Sequence, residues 1–167
     1  MLDCGSFSKS LAPGYRIGWI AAGQFASQVW RQKIMTSVAT SVPIQAGIAS
    51  YLSKGIFERH LRKLRRELLR RQALFAAAME RYMPAQVKWT LPSGGYLLWV
   101  ELPLGVDAIE LHRVALVAGI SIAPGPIFST QQGFRHAIRL NYGHHWTPRT
   151  EWALKTLGQL IRERART

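Results

Sequence analysis

The sequence predicts an α/β protein in two parts joined by a long helix, and three observations carry that prediction. The apolar run Tyr15 to Ala22 follows a turn of small residues and reads as a buried strand. From Ile56 to Met83 apolar residues follow a three–four spacing, the mark of one long amphipathic helix. After Pro84 the texture changes to short β-type segments set apart by glycine and proline turns.

Taken in order, Leu2 to Ser6 reads as a short strand leading into a turn, and Cys4 as a buried strand residue. Gly23 ends the next strand, and Gln24 to Ser37 places Phe25, Val29, Ile34 and Trp30 along one helical face. Pro43 suits the first turn of a second helix through Ile44, Ile48 and Tyr51, which Gly55 closes. In the long helix, Leu61, Leu64, Leu68, Phe75, Met79 and Tyr82 form the apolar face. Val87 to Leu91 and Tyr96 to Leu102 read as paired strands around the turn Pro92-Ser93-Gly94-Gly95. Asp107 fits an N-cap for a helix through Leu111, Val114 and Val117, with a stop at Gly119. Ile120 to Ala123 and Ala137 to Tyr142 read as further strands. Thr147 caps a last helix that has Pro148 in its first turn and a basic end from Arg162 to Arg166. The expected organisation is a first part over 1–55, a linking helix over 56–83 and an α+β part over 84–167.

A hydrophobic content of 48% with 19% charged residues, over 167 residues, describes a folded chain with a real core rather than a disordered one. No apolar run reaches the roughly 18 residues of a membrane span. The N-terminus lacks the basic and apolar regions of a signal peptide. One cysteine precludes an internal disulfide and suits a reducing cytosol, so a cytoplasmic location is expected. The formal charge is +13, and seven of the 22 Lys and Arg residues lie between Arg59 and Arg71. That run fits the solvated face of the long helix. It also fits contact with nucleic acid, although no aromatic platform or groove-reading motif accompanies it. His60, His112, His136, His144 and His145 show no metal-ligand spacing, so no metal site is expected.

The chemistry concentrates in Gly5-Ser6-Phe7-Ser8-Lys9-Ser10-Leu11-Ala12-Pro13-Gly14-Tyr15-Arg16. A lysine amine condenses with an aldehyde once deprotonated, and burial beside positive charge favours the neutral form. Hydroxyls and an arginine supply the donors that a phosphate needs. An amine nucleophile beside a phosphate cradle describes a site for pyridoxal 5′-phosphate (PLP). A lysine among serines also fits a solvated loop. Arg139 is the second feature. A cation inside the apolar strand Ile138-Arg139-Leu140-Asn141-Tyr142 needs a partner or a solvent-facing position.

The order and spacing of the first segment resemble the cofactor-lysine motif of fold-type I PLP enzymes, the class I/II or aspartate-aminotransferase superfamily. Pro92 to Trp99 resembles that family's P-x-G-G-x-F-x-W segment, Ala123 to Phe128 its P-G-x-x-F loop, and Ile138 to Tyr142 its R-L-x-F/Y strand. Ser37 to Gln45, Gly55 to Arg65 and Asn141 to His144 are similar to the MocR subgroup of GntR-type bacterial regulators, which join a winged helix-turn-helix to an aminotransferase-like domain. The resemblance implies a Schiff base between Lys9 and PLP, with Lys9 later moving the substrate's α-proton. It implies phosphate binding by Ser6, Ser8 and Arg16, and a carboxylate clamp at Arg139 with Tyr96 lining the substrate pocket. It also implies an amino acid or 2-oxo acid as substrate, a homodimer when complete, and DNA contact only through a domain upstream of this chain. Two functions share these residues: transamination, and PLP or effector sensing in a transcriptional regulator with little turnover. In the family a long stretch of large domain precedes the lysine. The chain is therefore expected to be the C-terminal portion of a longer protein, a remnant of the large domain plus the small domain, and inactive alone.

Overall fold

The computed structural model describes residues 1–165. They divide into two units, Met1–Lys63 and a second that starts at Leu64.

The first unit opens with β1 (Asp3–Ser6), a one-turn helix α1 (Phe7–Ser10) and a 3₁₀ turn over Pro13–Tyr15. β2 (Gly18–Ala21) returns antiparallel to β1, with Asp3 opposite Ala21 and Ser6 opposite Gly18. Helices α2 (Ala26–Ser37) and α3 (Val42–Ser53) follow. Pro43 lies in the first turn of α3, and Gly55 beyond its end takes φ +65°, a left-handed value that costs glycine little.

Burial in this unit departs from expectation. The strand expected over Tyr15 to Ala22 is confined to Gly18–Ala21 and is exposed along its length. The 3₁₀ turn and the left-handed backbone of Arg16 interrupt its first half, and β1 is its one hydrogen-bonded neighbour. Cys4 is exposed for the same reason. Of the expected helical face, Phe25, just before α2, and Val29 are half-buried, while Trp30 and Ile34 are exposed.

Helix α4 (Ile56–Tyr82) carries the chain into the second unit, as its apolar spacing predicts. There β3 (Lys88–Trp89), β4 (Leu97–Glu101), β5 (Ala123–Pro124) and β6 (Ala137–Asn141) form an antiparallel sheet in the order β3-β4-β6-β5. Helices α5 (Ala108–Val117) and α6 (Pro148–Arg164) complete it. The β3–β4 pairing was legible from its turn. The strand expected over Ile120 to Ala123 instead gives a two-residue pairing at Ala123–Pro124, while Ile120 and Ile122 are buried without joining the ladder. Of the basic end expected in α6, Arg162 and Arg164 occupy the last turn, and Arg166 lies outside the described residues.

The core follows from periodicity. Leu98 and Val100 of β4 face Ile138 and Leu140 of β6, and Phe75 and Met79 of α4 pack with Leu154, Leu157 and Ile161 of α6. Met79, Val100, Leu111, Ile138 and Ile161 are fully buried, each contributing about 1.5–3 kcal/mol of hydrophobic stabilisation. A Cβ on Gly158 would collide with the Tyr82 carbonyl, so glycine permits the close approach of α6 to α4. The Tyr82 hydroxyl donates to Glu151 at 2.6 Å, and that bond raises its pKa. Asp107 accepts from the Ile109 and Glu110 amides as the α5 cap. Its pKa is lowered first by hydrogen bonding to Arg135, then by those amides.

Candidate active site

In the first unit the cofactor-motif residues gather around α1. The Ser6 side chain caps the helix, accepting from the Ser8 amide at 3.1 Å. The Phe7 amide donates to the Ile17 carbonyl at 3.0 Å, which ties the start of α1 to the residue after Arg16. Arg16 has φ +51°, an uncommon conformation for a residue with a side chain. From there its Nη1 donates to Ser8 Oγ at 3.4 Å. Ser6, Ser8 and Arg16 thus form one hydrogen-bonded group at the mouth of the Lys9 turn. Lys9 itself is exposed, where burial was expected.

No ion pair among the described residues engages Arg16, so its remaining guanidinium donors face no carboxylate. Two hydroxyls and a guanidinium without a carboxylate partner suit a phosphate group. A primary amine one residue beyond Ser8 suits an aldehyde. The donor set therefore fits the phosphate and aldehyde ends of PLP. An apolar cleft of about 360 Å³ adjoins this turn, lined by Leu11, Tyr15, Pro43, Ile44, Ile48 and Tyr51.

In the second unit Arg139 lies on β6 directly opposite Trp99 of β4, on the face turned away from the core residues Ile138 and Leu140. It is half-buried. Its partner is aromatic: the guanidinium carbon sits 4.1 Å from the centroid of the Phe128 ring. Trp99 packs edge-on to both Phe128 and Phe134, at 5.8 and 5.4 Å between centroids. A cation stacked this way keeps its in-plane N–H groups available while one face is shielded from water. Sequence reading singled out Phe128 and Trp99 only as parts of turn-containing segments, and Phe134 gave no signal. Their convergence depends on strand register. Tyr96 packs against the core, and its carbonyl accepts from the Tyr142 amide at 2.9 Å.

The basic run of α4 is solvated as expected, with Arg71 the exception. Glu67 accepts from both Arg70 and Arg71 at 2.9 Å, and these hydrogen bonds lower its pKa to about 2. Arg71 also donates to the Gly143 carbonyl and reaches His145 at 3.2 Å. Arg71 therefore holds the loop after β6, while Arg59, Arg62, Lys63, Arg65 and Arg66 are exposed. Among the described residues no group of three or more His, Cys, Asp or Glu could hold a metal, and no helix is long and apolar enough to cross a membrane.

Solved structures carry the same fold. The multiple substrate aminotransferase from Thermococcus profundus superposes with a TM-score of 0.92 at 30% identity, over 99% of this chain and 41% of its own. LysN, the α-aminoadipate aminotransferase of Thermus thermophilus, solved with N-(5′-phosphopyridoxyl)-L-leucine, superposes at 0.84 and 30% identity, over 97% of this chain and 42% of its own. The fold is thus that of the PLP-dependent aminotransferases. The family model "Aminotransferase class I and II" matches residues 1–155, and the chain belongs to that family. Among its relatives is the uncharacterized HTH-type transcriptional regulator YdcR of Escherichia coli, 46% identical over 98% of this chain. This chain spans 35% of that regulator's length.

Proposed function

We propose that this chain belongs to a PLP-dependent protein in which Lys9 carries the cofactor as a Schiff base, and that the whole protein transaminates an amino acid. The observation that carries the reading is the joined Ser6, Ser8 and Arg16 group beside the Lys9 turn. Bound PLP supplies an electron sink for negative charge at the amino acid's Cα. Ser6, Ser8 and Arg16 anchor the phosphate, which fixes the reactive end relative to Lys9. The Lys9 amine, when not bonded to the cofactor, would take the α-proton of the amino acid and return it. Arg139 binds the α-carboxylate with its in-plane donors, as Phe128 supports one face. Tyr96 lines the substrate side. The parts over 1–55, 56–83 and 84–167 act as partial cofactor domain, linking helix and small domain, and the whole protein is a homodimer.

A second reading is favoured by the 46% identity to an HTH-type regulator. In it the same residues bind PLP and an effector amine as a signal, and DNA is contacted by another domain. Borohydride reduction of the full-length protein, followed by peptide mass mapping, tests the shared part. PLP mass on the Lys9 peptide is expected, and an unmodified Lys9 peptide would refute both readings. Mixing the PLP-loaded protein with a panel of amino acids then separates them. Formation of 2-oxo acid supports transamination, whereas spectral change without 2-oxo acid supports sensing.

A further inference from the structure

Helix α1 is one turn long, and so short a helix has no stability of its own. Its geometry has to be imposed by contacts. Two of those contacts come from the N-terminal part of α4, about fifty residues later in sequence. The Phe57 ring packs edge-on against Phe7 at 5.9 Å between centroids, and Tyr51 supports Phe57 at 6.4 Å. His60 Nε2 lies 2.9 Å from the Ser10 carbonyl oxygen. A carbonyl at a helix C-terminus has no partner within the helix, and here the imidazole N–H provides one. Phe57 and His60 are three residues apart on α4, and their partners Phe7 and Ser10 are three apart on α1. Each pair therefore lies on one helical face. Lys9 sits between the two gripped positions.

His60 is half-buried, as are Phe57, Leu61 and Leu64 at the same three–four spacing along α4. From this geometry we infer that Phe57 and His60 form a clamp that sets the backbone of the Lys9 turn, with His60 as a positioning residue for the cofactor lysine. The inference rests on the proposed role of Lys9. Its physical content is the matched grip at both ends of α1. A lysine in a loose turn samples many directions, and small misplacements of a reacting group cost large factors in reactivity.

The test uses the full-length protein with PLP as the probe. It compares His60→Gln, whose amide nitrogen reaches the Nε2 position, with His60→Asn, whose amide stops short of it. The PLP dissociation constant is read from the visible absorbance of the lysine-bound cofactor, beside the melting temperature of the PLP-free protein. His60→Gln is expected to bind PLP within about twofold of the wild type. His60→Asn is expected to bind about fivefold more weakly, the factor for one net hydrogen bond. His60→Leu should match the Asn variant. Equal PLP affinity of the Gln and Asn variants would overturn the clamp, whether both match the wild type or both fall together. If the wild type itself forms no lysine-bound PLP, the proposed function fails and the clamp with it. Wild-type binding that is indifferent to residue 60 removes the clamp alone.

Discussion

The two units are stabilised in different ways. The second has a continuous core, with Met79, Leu98, Val100, Leu111, Ile138, Leu157 and Ile161 all at or below 2% exposure. In the first, only Ile17, Ala22 and Ile48 are buried among the larger aliphatic and alanine side chains, while Trp19, Ile20, Trp30, Met35 and Val42 are exposed. Hydrogen bonds and ring contacts hold α1 in place there. The candidate cofactor residues all lie in this thinly buried unit, and the candidate carboxylate clamp lies in the densely packed one. Chemistry and folding stability are therefore expected to respond to substitutions in different places.

Lys9→Ala gives the sharpest expected separation. It should abolish borohydride-trapped PLP completely in the full-length protein while leaving the urea midpoint unchanged, because Lys9 is exposed. A large loss of stability would break the contrast between the units. In the second unit Leu111→Ala should cost about 2–5 kcal/mol, measured by urea denaturation, through a cavity in the core. Gly158→Val should be at least as damaging, because its side chain has no space against the Tyr82 carbonyl. Arg139→Ala should weaken amino-acid binding by on the order of 10- to 100-fold, the range for a charged hydrogen-bonded contact. The absorbance of lysine-bound PLP should persist in that variant. Loss of the cofactor would mean that Arg139 serves structure. Trp30→Ser in the first unit should stay within about 0.5 kcal/mol of the parent chain, as expected for an exposed position.

The smallest effect concerns acid. Hydrogen bonds from Arg70 and Arg71 lower the Glu67 pKa from 4.5 to about 2. A lowered carboxyl pKa stabilises the fold above the unfolded-state value, and that contribution disappears as pH falls through the folded-state value. Glu67→Gln should therefore flatten part of the loss of stability between about pH 4.5 and pH 2. An unchanged acid profile would show that these exposed pairs are screened by water.

Much of the architecture was legible because its causes are local. The three–four spacing of α4 stands in the sequence, as do the capping residues Asp107 and Thr147 and the turns at Pro92 and Gly55. The candidate cofactor residues Ser6, Ser8, Lys9 and Arg16 also stand close together in the sequence, within eleven residues. Burial was not legible. Cys4, Trp19 and Ile20 have strand-core character, yet whether such residues are covered depends on neighbours that periodicity cannot name.

By itself, then, the sequence determined the element order, the caps and the candidate chemistry, because propensity, period and turn stereochemistry act over a few residues. Tertiary structure decided which cations are partnered and by what. It set Phe128 beneath Arg139 and drew Arg71 to the loop after β6. It also brought His60 to the Ser10 carbonyl. These contacts join residues 11, 72 and 50 positions apart, and only the folded chain brings such positions within a few ångströms.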